Sequence, residues 1–514
     1  MLKKISLLLI LFIIQKSLAN NIQLSNITLT GQNTTSDFTM VQFNLTWENS
    51  WRVSSGPSNW DGAWVFVKYR VGTGPWLHAF LNDEGHSGGT GTAATITSGL
   101  NNTANVFHAT TNPAMGAFVH RNADGAGIFT QTGLQLRWNY GANSIADGDV
   151  VDIKVFAVEM VYVPSGSFQV GDGTTTSVQG QFTNGGTTTP LNITSEAART
   201  LGGVTNGYLA NNNASGMWTD DDFNNATTKP LPAAFPKGFN AFYCMKYEIS
   251  QQLWINFFNV LDNTQKTNRD ITAGTFNSTG KASDAIVDRN NISWTSGDAT
   301  LNGGTFGNVA CNFLSWMDGA AFADWASLRP MTELEFEKAC RGTLTPVENE
   351  FAWGTTSITG ATGISNIGAN NEVASNSGAN AVFNNNVNVE GPLRVGSFAT
   401  ANSTRDLAGA SYYGIMELSG NLWERPVSVG HATGRIFTAP IHGNGLLTND
   451  GFCDISTWPG FNTGKVINAI GIGLRGGAWS HPSYLLLASG RNYASDVAEE
   501  RRTGTGFRAV RSVP

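Results

Sequence analysis

Three short glycine-containing motifs near the C-terminus constrain the fold more than any other part of the sequence. They read G-I-M-E-L-S-G-N-L-W-E from Gly414 to Glu424, L-R-G-G-A-W-S-H-P from Leu474 to Pro482, and G-T-G-F-R-A-V-R from Gly504 to Arg511. A Gly-Asn pair before an aromatic residue is typical of a tight turn that leads into a buried anchor. The adjacent Gly476 and Gly477 permit backbone conformations and close approaches that a side chain would block. These motifs predict tight turns near the end of the chain.

Length and composition indicate a protein of several domains that is rich in loops and strands. The chain has 514 residues, which is too many for one compact core, so two or more domains are expected. Only 13% of the residues are charged and 59 are glycine, a composition that favours an exported β-rich protein. The net charge is −7 and there is no cluster of Lys and Arg, so nucleic acid is not an expected partner.

The N-terminus has the pattern of a signal peptide over residues 1–19. Lys3 and Lys4 precede an apolar run from Ile5 to Ile14 that is too short to span a bilayer, and Ser17-Leu18-Ala19 supplies small residues for cleavage. An N-terminal membrane anchor is the alternative. No later segment is long and apolar enough to cross a membrane. We therefore expect a protein that is secreted, periplasmic or on the cell surface.

Residues 20–157 are predicted to form an independent β domain. Polar and apolar residues alternate from Phe38 to Trp47, and the run A-W-V-F-V-K-Y-R-V from Ala63 to Val71 is typical of a central strand. An antiparallel sandwich is the expected form. The boundary should be a short linker near Ala157 to Met160, where the pattern changes.

A group of tryptophans in this region has two interpretations. They could form a sugar-binding platform, because aromatic faces stack on apolar sugar faces, or they could fill the core of the sandwich. We favour the core, since buried aromatic residues dominate protein interiors. The residues are Trp47, Trp51, Trp60, Trp64 and Trp76.

Residues 158–514 are predicted to mix short strands with a few helices. A hairpin is expected from Met160 to Gly171, and Ser250 is a plausible N-cap for a helix with an apolar face. A second amphipathic helix is predicted over Val309 to Ala326. Thr332 and Glu335 form a capping box, so a third helix should begin there.

In this order, the motifs resemble those of the formylglycine-generating enzyme (sulfatase-modifying factor) family. Its members read M-V-x-I-P-G-G-x-F-x-M-G, K-Y-E-V-T-N, R-L-P-T-E-A-E-W-E-K-A-A-R-G, G-L-Y-D-M-x-G-N-V-W-E, L-R-G-G-S-W and G-F-R. The resemblance covers about residues 158–514. It implies an α+β fold: a C-type-lectin-like domain with little regular secondary structure, which here follows the N-terminal sandwich-like domain.

The enzymes of this family carry out a reaction for which this chain lacks the required cysteines. The family's enzymes oxidise a sulfatase cysteine to formylglycine with a copper-binding cysteine pair that follows the R-G-G-S-W motif. The corresponding segment here, Ala478 to Asn492, has no cysteine, and none follows Cys453. Because a thiolate is the required nucleophile and copper ligand, we expect no catalytic residue, no copper and no other bound redox cofactor. His481 is interpreted as a turn residue.

The sequence does not determine whether or how the four cysteines form disulfides. Cys244, Cys311, Cys340 and Cys453 allow three disulfide pairings in an exported protein, and the sequence does not choose among them. Free buried thiols are the alternative.

The resemblance further implies a structural calcium site at the Gly-Asn turn. Its ligands would be the carboxylates of Glu417 and Glu424 and the carbonyl oxygens of Gly420 and Leu422, a donor set that suits calcium. In the alternative, Glu424 pairs with Arg475 or Arg508 and no metal binds. A second family site would use Asn366 and Ile367, but its acidic ligand has no convincing match.

Three functions stay open at this point. The first, which we favour, is a non-catalytic secreted or surface protein that binds a glycan or an envelope protein. The second is an oxidative modifying enzyme of altered chemistry, and the third is a structural component of the envelope or of a gliding apparatus.

Overall fold

The structure is a computed structural model that describes residues 21–174, 177–212, 217, 219–273, 280–400 and 403–513, and the predicted signal peptide lies outside them. Its first third consists mainly of strands, which are long except for the two-residue β4 and β5: β1 Gln23–Asn33, β2 Phe38–Arg52, β3 Asp61–Val71, β4 Leu77–His78, β5 Thr90–Gly91, β6 Ala94–Leu100, β7 Ala114–Arg121, β8 Gly125–Trp138 and β9 Val151–Val163.

The later strands are much shorter: β10 Phe168–Val170, β11 Phe182–Asn184, β12 Leu191–Ile193, β13 Arg199–Leu201, β14 Leu209–Asn211, β15 Lys229–Leu231, β16 Phe242–Met245, β17 Ile292–Ser293, β18 Thr300–Leu301, β19 Arg329–Pro330, β20 Ile364–Ser365, β21 Val373–Ala374, β22 Phe461–Asn462, β23 Lys465–Val466 and β24 Ala509–Ser512. Among them lie the helices α1 Gln251–Phe258, α2 Asn263–Arg269, α3 Trp316–Trp325, α4 Glu333–Arg341 and α5 Ala432–Arg435. The predicted α+β class is confirmed. In the described residues no helix has the length and apolarity needed to cross a membrane.

Two sheets pack face to face in the N-terminal region, as the predicted sandwich requires. One sheet has the order β1-β2-β8-β5, and the other has the order β19-β24-β16-β9-β3-β7-β6, with β4 also paired to β3. Alternate residues of β2, including Phe43 and Trp47, are buried in a core shared with Val65 of β3. The other face of β3 is also covered, because Trp64 donates from Nε1 to the carbonyl of Ala326 at 2.8 Å.

The tryptophan group is divided between core and surface. Trp47 and Trp64 are fully buried, which confirms the core interpretation for these two residues. Trp51, Trp60 and Trp76 are half-buried. Trp60 stacks on Tyr162 with ring centroids 4.0 Å apart.

The prediction of a linker near Ala157 to Met160 is wrong, because these residues lie inside strand β9. The strand pairs with β3 over its first eleven residues, from Val151 opposite Val71 to Val161 opposite Asp61. Its last four residues, Met160 to Val163, pair with β16 of the following region. The strand continues through the predicted boundary on both sides of Glu159, so one strand pairs with both regions and they share a sheet.

Helix starts follow the predicted caps in two places and differ in a third. Ser250 caps α1, and Thr332 forms the capping box with Glu335 at the start of α4. The second predicted helix begins only at Trp316, after a capping box between Ser315 and Asp318. Residues 309–313 do not join it, because Val309 and Ala310 make β-bridges and Phe313 has a φ of 61°.

Candidate functional site

The three C-terminal motifs meet through backbone hydrogen bonds. The N–H groups of Glu424 and Arg475 each donate to the other residue's carbonyl, at 3.0 and 3.1 Å. Trp423 donates its N–H to Gly504 at 2.9 Å, and Gly420 donates to Gly476 at 2.8 Å. Gly420 has a φ of 91°, and an added Cβ would lie 2.7 Å from a backbone oxygen, so only glycine fits this turn.

A groove of about 510 Å³, here called the Trp423 groove, lies beside this meeting point. The edges of two rings approach Trp423: His481 at a centroid distance of 5.2 Å and Tyr493 at 5.4 Å. The volume falls within the range of small-ligand sites, and such sites are commonly lined by aromatic rings with a few polar groups. Its lining comprises Gly280, Phe313, Trp423, Leu474, Ser480, His481, Tyr493, Arg501, Arg502, Thr503, Gly504 and Thr505.

The polar groups of the groove are largely engaged with one another. Burial and the nearby Arg502 lower the pKa of His481, which favours a neutral imidazole. Arg502 pairs with Glu500 at 3.1 Å and with Asp496 at 3.6 Å, and its side chain is 42% exposed. The groove therefore offers aromatic edges, a neutral imidazole and one accessible but paired guanidinium.

The four cysteines are free and buried, in agreement with the free-thiol alternative. None of them belongs to the lining of the Trp423 groove. Burial raises the pKa of the Cys244 thiol to about 12 and also raises the pKa values of Cys311, Cys340 and Cys453. A buried thiol that resists ionisation is a poor nucleophile and a poor metal ligand.

A second feature of the site is a cluster of buried carboxylates behind the Gly-Asn turn. Glu424 accepts from Arg508 Nε at 2.7 Å, and Glu417 accepts the N–H of Gly396 at 2.7 Å. Sequence reasoning missed a third member, Glu248, which accepts from Leu422 N at 2.9 Å and from Asn421 Nδ2 at 2.5 Å. Its position in the K-Y-E motif just before α1 was the available signal.

The cluster holds more negative charge than its protein partners compensate. Oε2 of Glu417 and Oε2 of Glu424 are buried and have no hydrogen-bond partner. Burial raises the pKa of Glu417 to about 7, and burial with the neighbouring Glu424 raises the pKa of Glu248 well above its usual value. Unpartnered buried carboxylate oxygens are costly, and a bound cation would satisfy them.

The donor set fits calcium but does not resemble a site for a softer metal. Two carboxylates and the backbone oxygens of the turn are hard ligands of the kind that calcium prefers. In the described part of the chain, no group of three or more His, Cys, Asp and Glu side chains is arranged to hold a metal ion. The ion pair foreseen as the alternative for Glu424 is present and is made with Arg508. The side chain of Arg475 instead pairs with Glu333 and Glu337.

The doubtful second calcium site finds no support in its surroundings. Ile367 is 60% exposed. The carboxylate of Glu372, close by in the chain, accepts the N–H groups of Gly368 at 2.6 Å and Arg394 at 2.9 Å. It also pairs with Arg289 at 2.5 Å. Its charge is already compensated without a metal.

Comparison with known proteins agrees with the motifs. A search of curated proteins gave no match to this chain. One family profile, the sulfatase-modifying factor enzyme 1-like domain (FGE-sulfatase), matches residues 152–513. The match begins within β9, the strand that the N-terminal sandwich shares with the rest of the fold. The chain therefore belongs to the family of sulfatase-modifying factor enzyme 1-like proteins.

Proposed function

We propose that this chain is an exported, non-catalytic member of its family, and that the Trp423 groove binds a ligand in the cell envelope. One observation carries the proposal. The groove is an open cavity lined by aromatic rings, whereas all four cysteine thiols are buried outside it and have raised pKa values. The ligand is a glycan or a segment of an envelope protein. An oxidative enzyme of altered chemistry is the second candidate, and a structural envelope component is the third.

The catalytic half of this proposal is tested with a sulfatase peptide that contains the target cysteine. Incubation of the purified protein with the peptide and oxygen, with and without added copper, should leave the cysteine unchanged in mass spectrometry. The reason is the absence of a reactive thiol beside the groove. Conversion of the cysteine to formylglycine, or copper-dependent oxygen uptake, would overturn the assignment.

The binding half is tested by pull-down from the envelope fraction of the native cell and on a glycan array. His481→Ala removes a ring from the groove and should reduce capture several-fold, since ligand contacts in such sites concentrate on few side chains. Tyr484→Ala is the control, because this tyrosine is 48% exposed and lies outside the groove lining. Equal capture by both variants would contradict a role for the groove.

We further propose that calcium stabilises the fold at the Gly-Asn turn, bound by Glu417 and Glu424 with the carbonyl oxygens of Gly420 and Leu422. The support is the pair of unpartnered carboxylate oxygens. The ion would act on structure alone, because it would hold the turn that positions Trp423. Stoichiometric calcium should co-purify with the protein.

A further inference from the structure

A second cavity lies where the N-terminal sandwich meets the rest of the fold, and we call it the junction cleft. Its volume is about 570 Å³. One wall is aliphatic and comes from Ile22 and Leu24 at the start of the chain's described part and from Ile153 of β9. These three side chains are half-buried, so they offer apolar surface without forming a closed core.

The opposite wall is rich in side-chain amides that bond in pairs. On α1, Gln252 Nε2 donates to Asn256 Oδ1 at 3.0 Å. On the facing loops, Asn308 Nδ2 donates to Asn370 Oδ1 at 3.1 Å. An amide group has two donor hydrogens and one acceptor oxygen, so each pair keeps donors and an acceptor outside its mutual bond. All four residues belong to the cleft lining.

The two acidic groups of the cleft already have protein partners. Glu159 Oε2 lies 3.2 Å from the ammonium of Lys246, and both oxygens of Glu248 accept hydrogen bonds from the Gly-Asn turn. Lys154 has its ammonium 4.8 Å from the ring centroid of Trp76. A cationic ligand would compete with these protein partners for Glu159 and Glu248, and an anionic ligand would face both carboxylates, whereas a neutral ligand avoids both costs.

From this arrangement we propose that the junction cleft is a binding site for a short neutral oligosaccharide. A sugar ring presents aliphatic C–H groups on its faces and hydroxyl groups around its rim. The faces fit the aliphatic wall, and the hydroxyl groups can both donate to and accept from the paired amides. The cleft volume of about 570 Å³ lies within the usual range for ligand sites. The site is separate from the Trp423 groove and does not depend on the function proposed for it.

The test uses the full chain and calorimetry with four neutral trisaccharides: maltotriose, cellotriose, xylotriose and chitotriose. At least one should bind, and Gln252→Ala with Asn256→Ala should weaken its affinity about tenfold or more, since several hydrogen bonds are lost. Both residues are exposed on α1, and alanine favours a helix, so the fold should persist. Asn263→Ala on α2, also an exposed helical amide, should bind as the wild type does.

Three results would overturn the proposal. None of the trisaccharides binds at millimolar concentration, or the double variant binds as tightly as the wild type. The third is that His481→Ala abolishes sugar binding while the double variant does not, which would place the sugar in the Trp423 groove. A peptide ligand would instead extend the sheet at the free edge of β1 and would be insensitive to the amide variants.

Discussion

Glu417 is the residue at which proton binding and calcium binding compete. In an unfolded chain a glutamate has its ordinary pKa of about 4.5, whereas burial raises the pKa of Glu417 to about 7 in the folded protein. Between these values the folded state binds the proton more tightly, so without metal its stability must fall as pH rises. Calcium holds the ionised form and would remove this penalty.

We therefore expect Glu417→Gln to become more stable relative to the wild type as pH rises from 5 to 7.5 in chelator, by roughly 1–3 kcal/mol. Added calcium should raise the melting temperature of the wild type and not that of the variant. Glu159 and Asp324 also have raised pKa values, but they are present in both proteins. If neither chelator nor added calcium changes the melting temperature of the wild type, the calcium site does not exist. Glu424→Ala is less informative, because it leaves Arg508 buried and unpaired at a cost of about 3–5 kcal/mol with or without metal.

At the scale of the element, α4 depends on its first turn. Thr332 accepts the N–H of Glu335 at 3.2 Å, and its hydroxyl donates to the carbonyl of Pro236 at 3.0 Å. The same turn carries the acidic residues Glu333 and Glu335. Glu333 pairs with Arg491 at 2.7 Å, and Glu335 pairs with Arg329 at 2.6 Å. Both carboxylates therefore form buried ion pairs in the core.

Thr332→Ala should lower the free energy of unfolding by about 1–3 kcal/mol, because a cap and a buried hydrogen bond are lost together. The matched change is Asp262→Ala, which removes the exposed cap of α2 and should cost about 1 kcal/mol or less. Denaturant titration of both variants measures the difference. A smaller loss for Thr332→Ala than for Asp262→Ala would contradict the argument.

At the scale of the whole molecule, the sandwich and the family domain are joined by a shared sheet and by buried charge. Lys246 lies 3.1 Å from Asp61 and 3.2 Å from Glu159, with all three side chains almost fully buried. Asp61 belongs to β3, Glu159 to β9 and Lys246 follows β16. Removal of β3 would leave Lys246 with one partner and one face of β9 exposed.

A fragment of residues 158–514 should therefore be insoluble or lack native circular dichroism, whereas a chain that starts at residue 21 should fold. Limited proteolysis of the full chain should give no stable fragment that begins near residue 158, because Val158 pairs with Trp64 of β3 and the residues from Met160 onward also pair with β16. A soluble, cooperatively melting fragment would show that the two regions are independent after all.

The sequence by itself determined the features that depend on neighbouring residues or on a fixed spacing. Alternation in β2, the caps at Ser250 and Thr332 and the Gly-Asn turn are local patterns, and each is present where the residues indicate it. The order of the motifs was sufficient for the family. Glu417 and Glu424 flank the turn in the chain, and the resemblance to the family named them as the calcium ligands that we propose.

Only the tertiary structure decided which distant groups meet. The partner of Glu424 is Arg508 rather than Arg475, and Glu248 joins the cluster from about 170 residues away in the chain. The sequence also did not reveal that β9 joins the two regions, because a strand has the same sequence pattern whether it pairs within one domain or with strands of two regions. Local propensity fixes where elements begin, but burial and the pairing of buried charges select among distant partners, and these energies exist only once the chain has folded.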